Sequence, residues 1–429
     1  MNLGIISIKH SSMKEFPETN WQDYLLVYSL LCFSGNLAIT IVSFNELFQI
    51  AFAGYLIAKL YQNKLLLHPK LLIFSYIFLT VMVVQCVEFD FFPFITIAGF
   101  FIRVITAFAV VVLVKKFLYV YIRTMVVLAI ISLFFYVLQE VGTLVGYDII
   151  AIFHPIGSYL SDSPKRVPFF LHTYLTDSSH RNSGMFWEPG AFAGYLVIGL
   201  VFLSIIKKQL VQKEYKYYLF ILSITLFTTL STTGYIAYPF AMILHFNRNK
   251  LSVRAKFRNS LIVLSIVIPL LIFTSFFVYR NLPFLQGKIE AQFQKVEYKD
   301  HRWHLTRFGS IMLDWQYIQE RPLTGWGLHS LTRFALTPSM EGLSGMGNGF
   351  SDFLAKFGLI GFTTWLFFVF SRIRQGYDRS LYRALVFCFV IMILLQGEAF
   401  LNYPLFLSLA FIAYTMKENT KPANLRADK

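Results

Sequence analysis

The sequence predicts an all-α fold: a polytopic membrane bundle of about 12 transmembrane helices. Three observations predict it. Hydrophobic residues make up 56% of the 429 positions and charged residues only 14%, against about 25% charged in soluble domains. Long apolar runs such as Ala107–Val114 and Leu261–Val278 recur along the chain; a barrel would show short alternating segments instead. Lys and Arg gather in the gaps between the runs. Lipid offers the backbone no hydrogen-bond partner, so only helices and closed barrels can span it.

Twelve spans are expected, near 22–42, 44–61, 70–87, 93–114, 121–144, 189–207, 216–231, 233–247, 260–279, 350–371, 381–397 and 400–416. Several fall short of the ~20 residues that cross a bilayer and are expected to be tilted, broken or shielded. The ends and gaps at 1–20, 59–70, 115–123, 207–216, 248–258, 372–383 and 417–429 hold 25 of the 38 basic residues. All seven fall on one side of this layout, and an excess of Lys and Arg marks the cytoplasmic side. Both termini are then cytoplasmic. The formal charge of +15 is a topology signal and a contact with anionic lipid headgroups, so nucleic acid is not an expected partner. Cys32, Cys86 and Cys388 lie far apart in apolar segments and read as small core residues. Residues 1–20 are polar, and the first apolar run leads straight into further spans, so no cleavable signal peptide is expected.

The whole chain, 1–429, reads as a single membrane domain with two long external segments, 145–188 and 280–349. The large one joins helices 9 and 10. With no ATP on that side, chemistry there needs a substrate that carries its own energy. The first segment ends in His180-Arg-Asn-Ser-Gly-Met-Phe-Trp-Glu188-Pro-Gly-Ala191. Pro189 suits the first turn of a helix, and the apolar run Ala191–Ile206 follows. Arg181 and Glu188 are therefore expected at a membrane–water boundary, where a helix N-terminus favours a carboxylate. In the second segment, Arg307 to Glu320 reads as a helix of nearly four turns, with Arg307, Ile311, Asp314 and Ile318 on one face. Arg321-Pro322 stops it, and Gly325-Trp-Gly327 makes a tight turn.

Three stretches resemble the superfamily of O-antigen polymerases and O-antigen ligases. They are Arg181-Asn-Ser-Gly-Met-Phe-Trp-Glu-Pro189, then Arg307…Asp314-Trp…Glu320-Arg-Pro-Leu-Thr-Gly-Trp-Gly327, then Asn348 with Gly358-Leu-Ile-Gly361. Ser231-Thr-Thr-Gly234 is a weaker fourth. The resemblance covers the chain from about residue 93 onward. It implies an integral-membrane glycosyltransferase of the bacterial inner membrane, with its active site on the external face. The implied donor is a glycan on undecaprenyl diphosphate. A polymerase passes the growing chain to a lipid-linked repeat unit; a ligase passes it to a lipid A core. Neither a metal nor a cofactor is expected. Membrane lipids, a chain-length regulator and a flippase are the further partners it implies. In the ligase pattern a His precedes the Asn, and here Gly347 stands in its place. The nearest histidine is His329. This departure favours a polymerase, with a ligase as the alternative. A transporter or flippase is the alternative of another class, and the polar residues sit in two external segments rather than at mid-membrane sites.

The implied chemistry is displacement at an anomeric carbon with diphosphate as leaving group. Arginine suits the diphosphate, because its planar fork binds phosphate oxygens in pairs and stays charged. Arg181 and Arg307 are the first candidates, against plain salt bridges to Glu188 or Asp314. Glu188 is the candidate base for the acceptor hydroxyl, against a structural pair with Arg181; Asp314 and Asp352 are runners-up, and Asp352 with Lys356 has the spacing of a helix pair. Arg103, inside the span 93–114, either faces a cavity holding the lipid diphosphate or pairs with Glu46 or Glu398. Arg302, in His301-Arg-Trp-His304, reads as part of a basic patch touching sugar or phosphate, since no third ligand supports a metal. Asp314, His329 and Asn348 complete the substrate-binding candidates. Trp303, Trp315 and Trp326 are expected either to stack on sugars or to sit at the interface.

Overall fold

A computed structural model of the chain describes residues 19–40, 45–160, 166–176, 180–246, 307–338 and 347–412. These residues are mostly helical, as expected. In order they form α1 (Trp21–Cys32), α2 (Leu37–Thr40), α3 (Asn45–Gln62), α4 (Pro69–Glu88), α5 (Phe94–Leu113), α6 (Phe117–Leu144) and α7 (Ile149–Leu160). A small antiparallel hairpin follows, β1 (Arg166–Phe169) with β2 (His172–Leu175), in which Arg166 faces Leu175. Then come α8 (Pro189–Ile206), α9 (Gln212–Thr228), α10 (Thr232–Ile243), α11 (Arg307–Glu320), α12 (Ser330–Arg333), α13 (Gly349–Gly376), α14 (Leu381–Gly397) and α15 (Pro404–Ser408). The expected span 260–279, the residues around Arg302 and most of the 280–349 segment lie outside the described residues.

Five helices among the described residues are long and apolar enough to cross a membrane: α4, α5, α6, α8 with its one-turn extension to Gln209, and α13. The chain is thus a multi-pass membrane protein. In α8, 94% of the apolar window is buried inside the protein, against 33% in α4. α8 is therefore wrapped by protein while α4 turns much of its surface outward. It packs against α6, α9 and α10, and everything at its two ends is placed by that central position.

The first expected span, 22–42, is interrupted. α1 stops at Cys32, Gly35 takes φ +126°, and Asn36 forms an isolated bridge to Phe186. The break receives the loop before α8. A Cβ on Gly35 would lie 2.0 Å from the Trp187 ring, and Asn36 Nδ2 donates to the Phe170 carbonyl at 2.8 Å. The backbone freed by the break finds protein partners, which is how irregular chain is tolerated at membrane depth.

A second break lies in α13, where Gly358 has φ +62° and ψ −169°. The turn after α11 is inserted there. Leu359 N donates to Pro322 O at 2.8 Å, Trp326 N to Ala355 O at 2.8 Å, and Gly327 N to Lys356 O at 3.0 Å. Gln85 of α4 clamps the junction, its Nε2 donating to the carbonyls of Thr324 and Lys356 at 2.5 and 2.8 Å. The turn stretch Arg321–Gly327 and the Gly358–Gly361 stretch are therefore two halves of one contact. Trp326 is buried in it and donates to Tyr317 O at 2.8 Å, so it is a packing residue with no face left for sugar. Trp315 is exposed, and Trp303 lies outside the described residues.

Candidate active site

The N-terminal end of α8 collects residues from four distant stretches. Glu188 is the residue before the helix, with Pro189 at its first position. Its carboxylate makes no cap bond to its own helix and is left free for other partners. Arg307, the first residue of α11, reaches across. Its Nε donates to the Gly397 carbonyl at 3.0 Å and its Nη2 to Glu398 at 3.1 Å, with Glu188 at 4.0 Å. Glu398 follows the last residue of α14 and is itself buried. Gly190 leaves the space in which the three meet. A Cβ there would lie 2.7 Å from Glu398 Oε1, 3.0 Å from Glu188 Oε1 and 3.6 Å from Arg307 Nη2.

Supporting contacts fix this arrangement. Asn348 caps α13, accepting from Ser351 N at 2.9 Å, while its Nδ2 donates to Gln396 Oε1 at 2.8 Å. Gly349 abuts the Glu398 backbone, where a Cβ would come within 2.1 Å of the Glu398 carbonyl oxygen. Gly397 packs against Thr233 of the Ser231–Gly234 turn. Arg181 Nε donates to Thr229 O at 3.3 Å just before that turn. Tyr403 stacks on Trp187 with ring centroids 4.7 Å apart, closing the side next to Glu188.

Glu188 and Glu398 face the same space and perturb each other's ionisation. Burial and the adjacent Glu188 push Glu398 well above the usual carboxylate range, despite Arg307. Burial also works to raise Glu188, but the hydrogen bond from Glu398 and the charges of Arg307, Arg166 and Arg181 outweigh it and hold it low. The pair shares one negative charge, drawn toward Glu188 by the shifts just described. Like charges this close do not ionise together. Three guanidiniums thus act on one shared negative charge, a surplus of two positive charges.

Of the residues expected to act, Glu188, Arg181 and Arg307 are brought together here. The pairings differ from the two weighed: Arg307 takes Glu398 and not Asp314, and Arg181 bonds to a backbone carbonyl and not to Glu188. Asn348 supports the site from behind. Asp314 belongs to a separate buried network. It pairs with Arg333 and accepts from Ser351 Oγ at 2.6 Å, while Asp352 lies 3.6 Å from Arg333 and 2.6 Å from Lys356. His329 caps α12, its Nδ1 accepting from Leu331 N at 3.3 Å, with its ring against Phe91. Arg103 is bonded to neither Glu46 nor Glu398 among the described residues; its Nε is buried without a partner, with Tyr403 as its electrostatic neighbour. Sequence reasoning missed Glu398 as a site residue, along with Arg166 and Arg333. The one available signal for Glu398 was an acid directly after an apolar run.

Residues 217–366 match the family model described as O-antigen ligase. That stretch, less than half of the chain, is similar to this family, which is consistent with the O-antigen ligase/polymerase superfamily. The family consists of glycosyltransferase-like membrane enzymes. The match includes Arg307, Asp314, His329, Asn348 and Gly358, whereas Glu188 and Glu398 lie outside it and join the site only through the fold. No curated protein matches the chain.

Proposed function

We propose that this protein is a polysaccharide polymerase acting on the external face of the inner membrane. Its donor is a glycan on undecaprenyl diphosphate and its acceptor a lipid-linked repeat unit. The observation that carries the reading is the carboxyl pair Glu188–Glu398 set among Arg307, Arg181 and Arg166. Glu188 takes the proton of the acceptor hydroxyl. The acceptor oxygen attacks the anomeric carbon, and the bond from that carbon to the diphosphate oxygen breaks. The diphosphate leaves on its lipid carrier without needing a proton, because the surplus guanidinium charge neutralises it. Arg103, whose buried Nε has no hydrogen-bond partner, is the proposed contact for the carrier's phosphates. Arg302 stays a proposed contact on sequence grounds alone, and His329 lies to one side. The external placement of 145–188 and 280–349, and the chain-length regulator and flippase as partners, belong to the same proposal.

A ligase is the second reading, favoured by the similarity of residues 217–366 to the O-antigen ligase family. Gly347 in place of the expected His speaks for the polymerase. Deletion followed by gel analysis of the surface glycan separates them. Loss of a polymerase leaves single repeat units attached; loss of a ligase leaves none. Repeat units accumulating on the cytoplasmic side would identify a flippase and overturn both.

A further inference from the structure

The opposite end of α8 borders a cavity with basic residues in its lining that the proposed chemistry does not use. Eighteen residues of helix separate it from Glu188, a distance of about 27 Å at ~1.5 Å per residue. Its volume is about 240 Å³, room for about eight waters at ~30 Å³ each. It has room for a small polar group. Its charged lining consists of Lys207, Lys208, Arg383 and Asp378. The turns α8–α9 and α13–α14 and the end of α10 meet there.

Two of the cations, Lys207 and Arg383, are held by neutral groups. Lys207 Nζ donates to the His245 carbonyl at 2.9 Å and lies 5.0 Å above the Tyr215 ring. Arg383 lies 5.6 Å above the Tyr377 ring. Two hydroxyl contacts stiffen these rings: Tyr215 with His245 Nδ1 at 2.8 Å, and Tyr377 with Ser204 at 2.6 Å. Asp378 is the only carboxylate among the described lining residues; it is largely exposed and engages Lys208 at 3.4 Å. Three cations against one carboxylate leave a surplus of two positive charges. Lys207 and Arg383 have no carboxylate partner among the described residues. An ordinary solvated basic edge would leave its side chains extended in water, not laid over buried rings around a cavity.

We propose that this cavity binds a phosphate group, supplied by the headgroup of an anionic membrane lipid. Cations held on aromatic faces and neutral acceptors keep their charge, and their remaining N–H groups stay available to an anion. The three chain segments that meet there are cross-linked through the bound phosphate. The proposal does not depend on the chemistry at Glu188.

The test uses the full-length protein in detergent, with native mass spectrometry to count retained lipid. Wild type is expected to retain phosphatidylglycerol in preference to phosphatidylcholine. The double variant Lys207→Gln with Arg383→Gln is expected to lower that occupancy by about tenfold or more, since each basic residue near a charged headgroup contributes substantially. Lys64→Gln, an exposed basic position elsewhere, should leave it unchanged. Asp378→Asn removes the opposing carboxylate and should raise occupancy, a gain that misfolding cannot produce. Inorganic phosphate is the second probe. Displacement of the lipid by millimolar phosphate, with thermal stabilisation by phosphate alone, would assign the same site to free phosphate; retention of the lipid assigns it to the headgroup. The proposal is overturned if the double variant and Asp378→Asn both retain phosphatidylglycerol as wild type does. It is equally overturned if Lys64→Gln costs as much as the double variant.

Discussion

Glu188→Gln and Glu398→Gln are near-isosteric changes a few ångströms apart, yet the structure separates their outcomes. The shared negative charge is drawn toward Glu188, and glutamine cannot accept a proton. Removing a general base typically costs on the order of a hundredfold or more in rate. Glu398 is pushed toward its neutral form, and glutamine imitates that form. Its amide N–H donates toward Glu188 as the acid O–H did, and its amide oxygen accepts from Arg307 Nη2 in place of the 3.1 Å contact. The difference is the quality of one hydrogen bond, about 0.5–1.5 kcal/mol, or roughly two- to tenfold in rate. Glu188→Gln has a further consequence. Burial still raises Glu398 in this variant, but loss of the Glu188 charge removes the next influence in the same direction and makes ionisation beside Arg307 easier. Arg307 stays paired and the protein should accumulate normally. A carboxylate on Glu398 would not occupy the position of Glu188 and would not restore the base, because a misplacement of ~1 Å can cost about a hundredfold. The assay is polymer synthesis from purified lipid-linked repeat units, with each variant in nanodiscs. Near-wild-type chain growth by Glu188→Gln would refute its role as base. Equal and severe loss in both variants would refute the assignment of Glu398 as a spectator acid.

Three further outcomes are expected. Arg307→Lys keeps the charge but serves only one of the two acceptors, Gly397 O and Glu398; chain growth should fall by about tenfold or more, at normal protein level, from the loss of one charged hydrogen bond. Gly358→Ala should destabilise by about 3 kcal/mol or more, because its Cβ would sit 2.1 Å from the Leu323 carbonyl oxygen; fluorescence-detected size exclusion after heating reads this, with Gly54→Ala as the control, since nothing lies within 4 Å of a Cβ there. Burial, reinforced by Asp352, pushes Asp314 up to about 6 despite Arg333 and Ser351. The folded state therefore holds this proton longer than the unfolded chain does. Its contribution to stability is complete below about pH 4 and is lost as pH rises toward 6, on the order of 2–3 kcal/mol; Asp314→Asn should flatten that part of the Tm–pH curve, and an unchanged curve would count against it.

Local residue preferences were legible in the chain. Pro189 at the start of α8, the stop at Arg321-Pro322 and the positive-φ turn at Gly325 and Gly327 all stand where the residue types put them. So do the common face of Arg307 and Asp314 and the Asp352–Lys356 pair at 2.6 Å. Each depends on neighbours within a few positions, which is the range over which backbone geometry and helix spacing act.

By itself the sequence determined the class: a helical membrane protein whose polar chemistry is confined to a few stretches. Composition and apolar run length suffice for that, because lipid penalises every unpaired backbone group alike. Only the tertiary structure decided which charges meet. Arg307 could have paired with Asp314 seven residues along its own helix; it bonds to Glu398, while Asp314 takes Arg333. The break after Cys32 and the kink at Gly358 were equally hidden, since each exists to receive a loop from elsewhere in the chain. A charge has the same attraction for every opposite charge. Which one it reaches, and which carboxyl keeps the proton, depends on burial and distance, and those arise only when helices distant in sequence pack around α8.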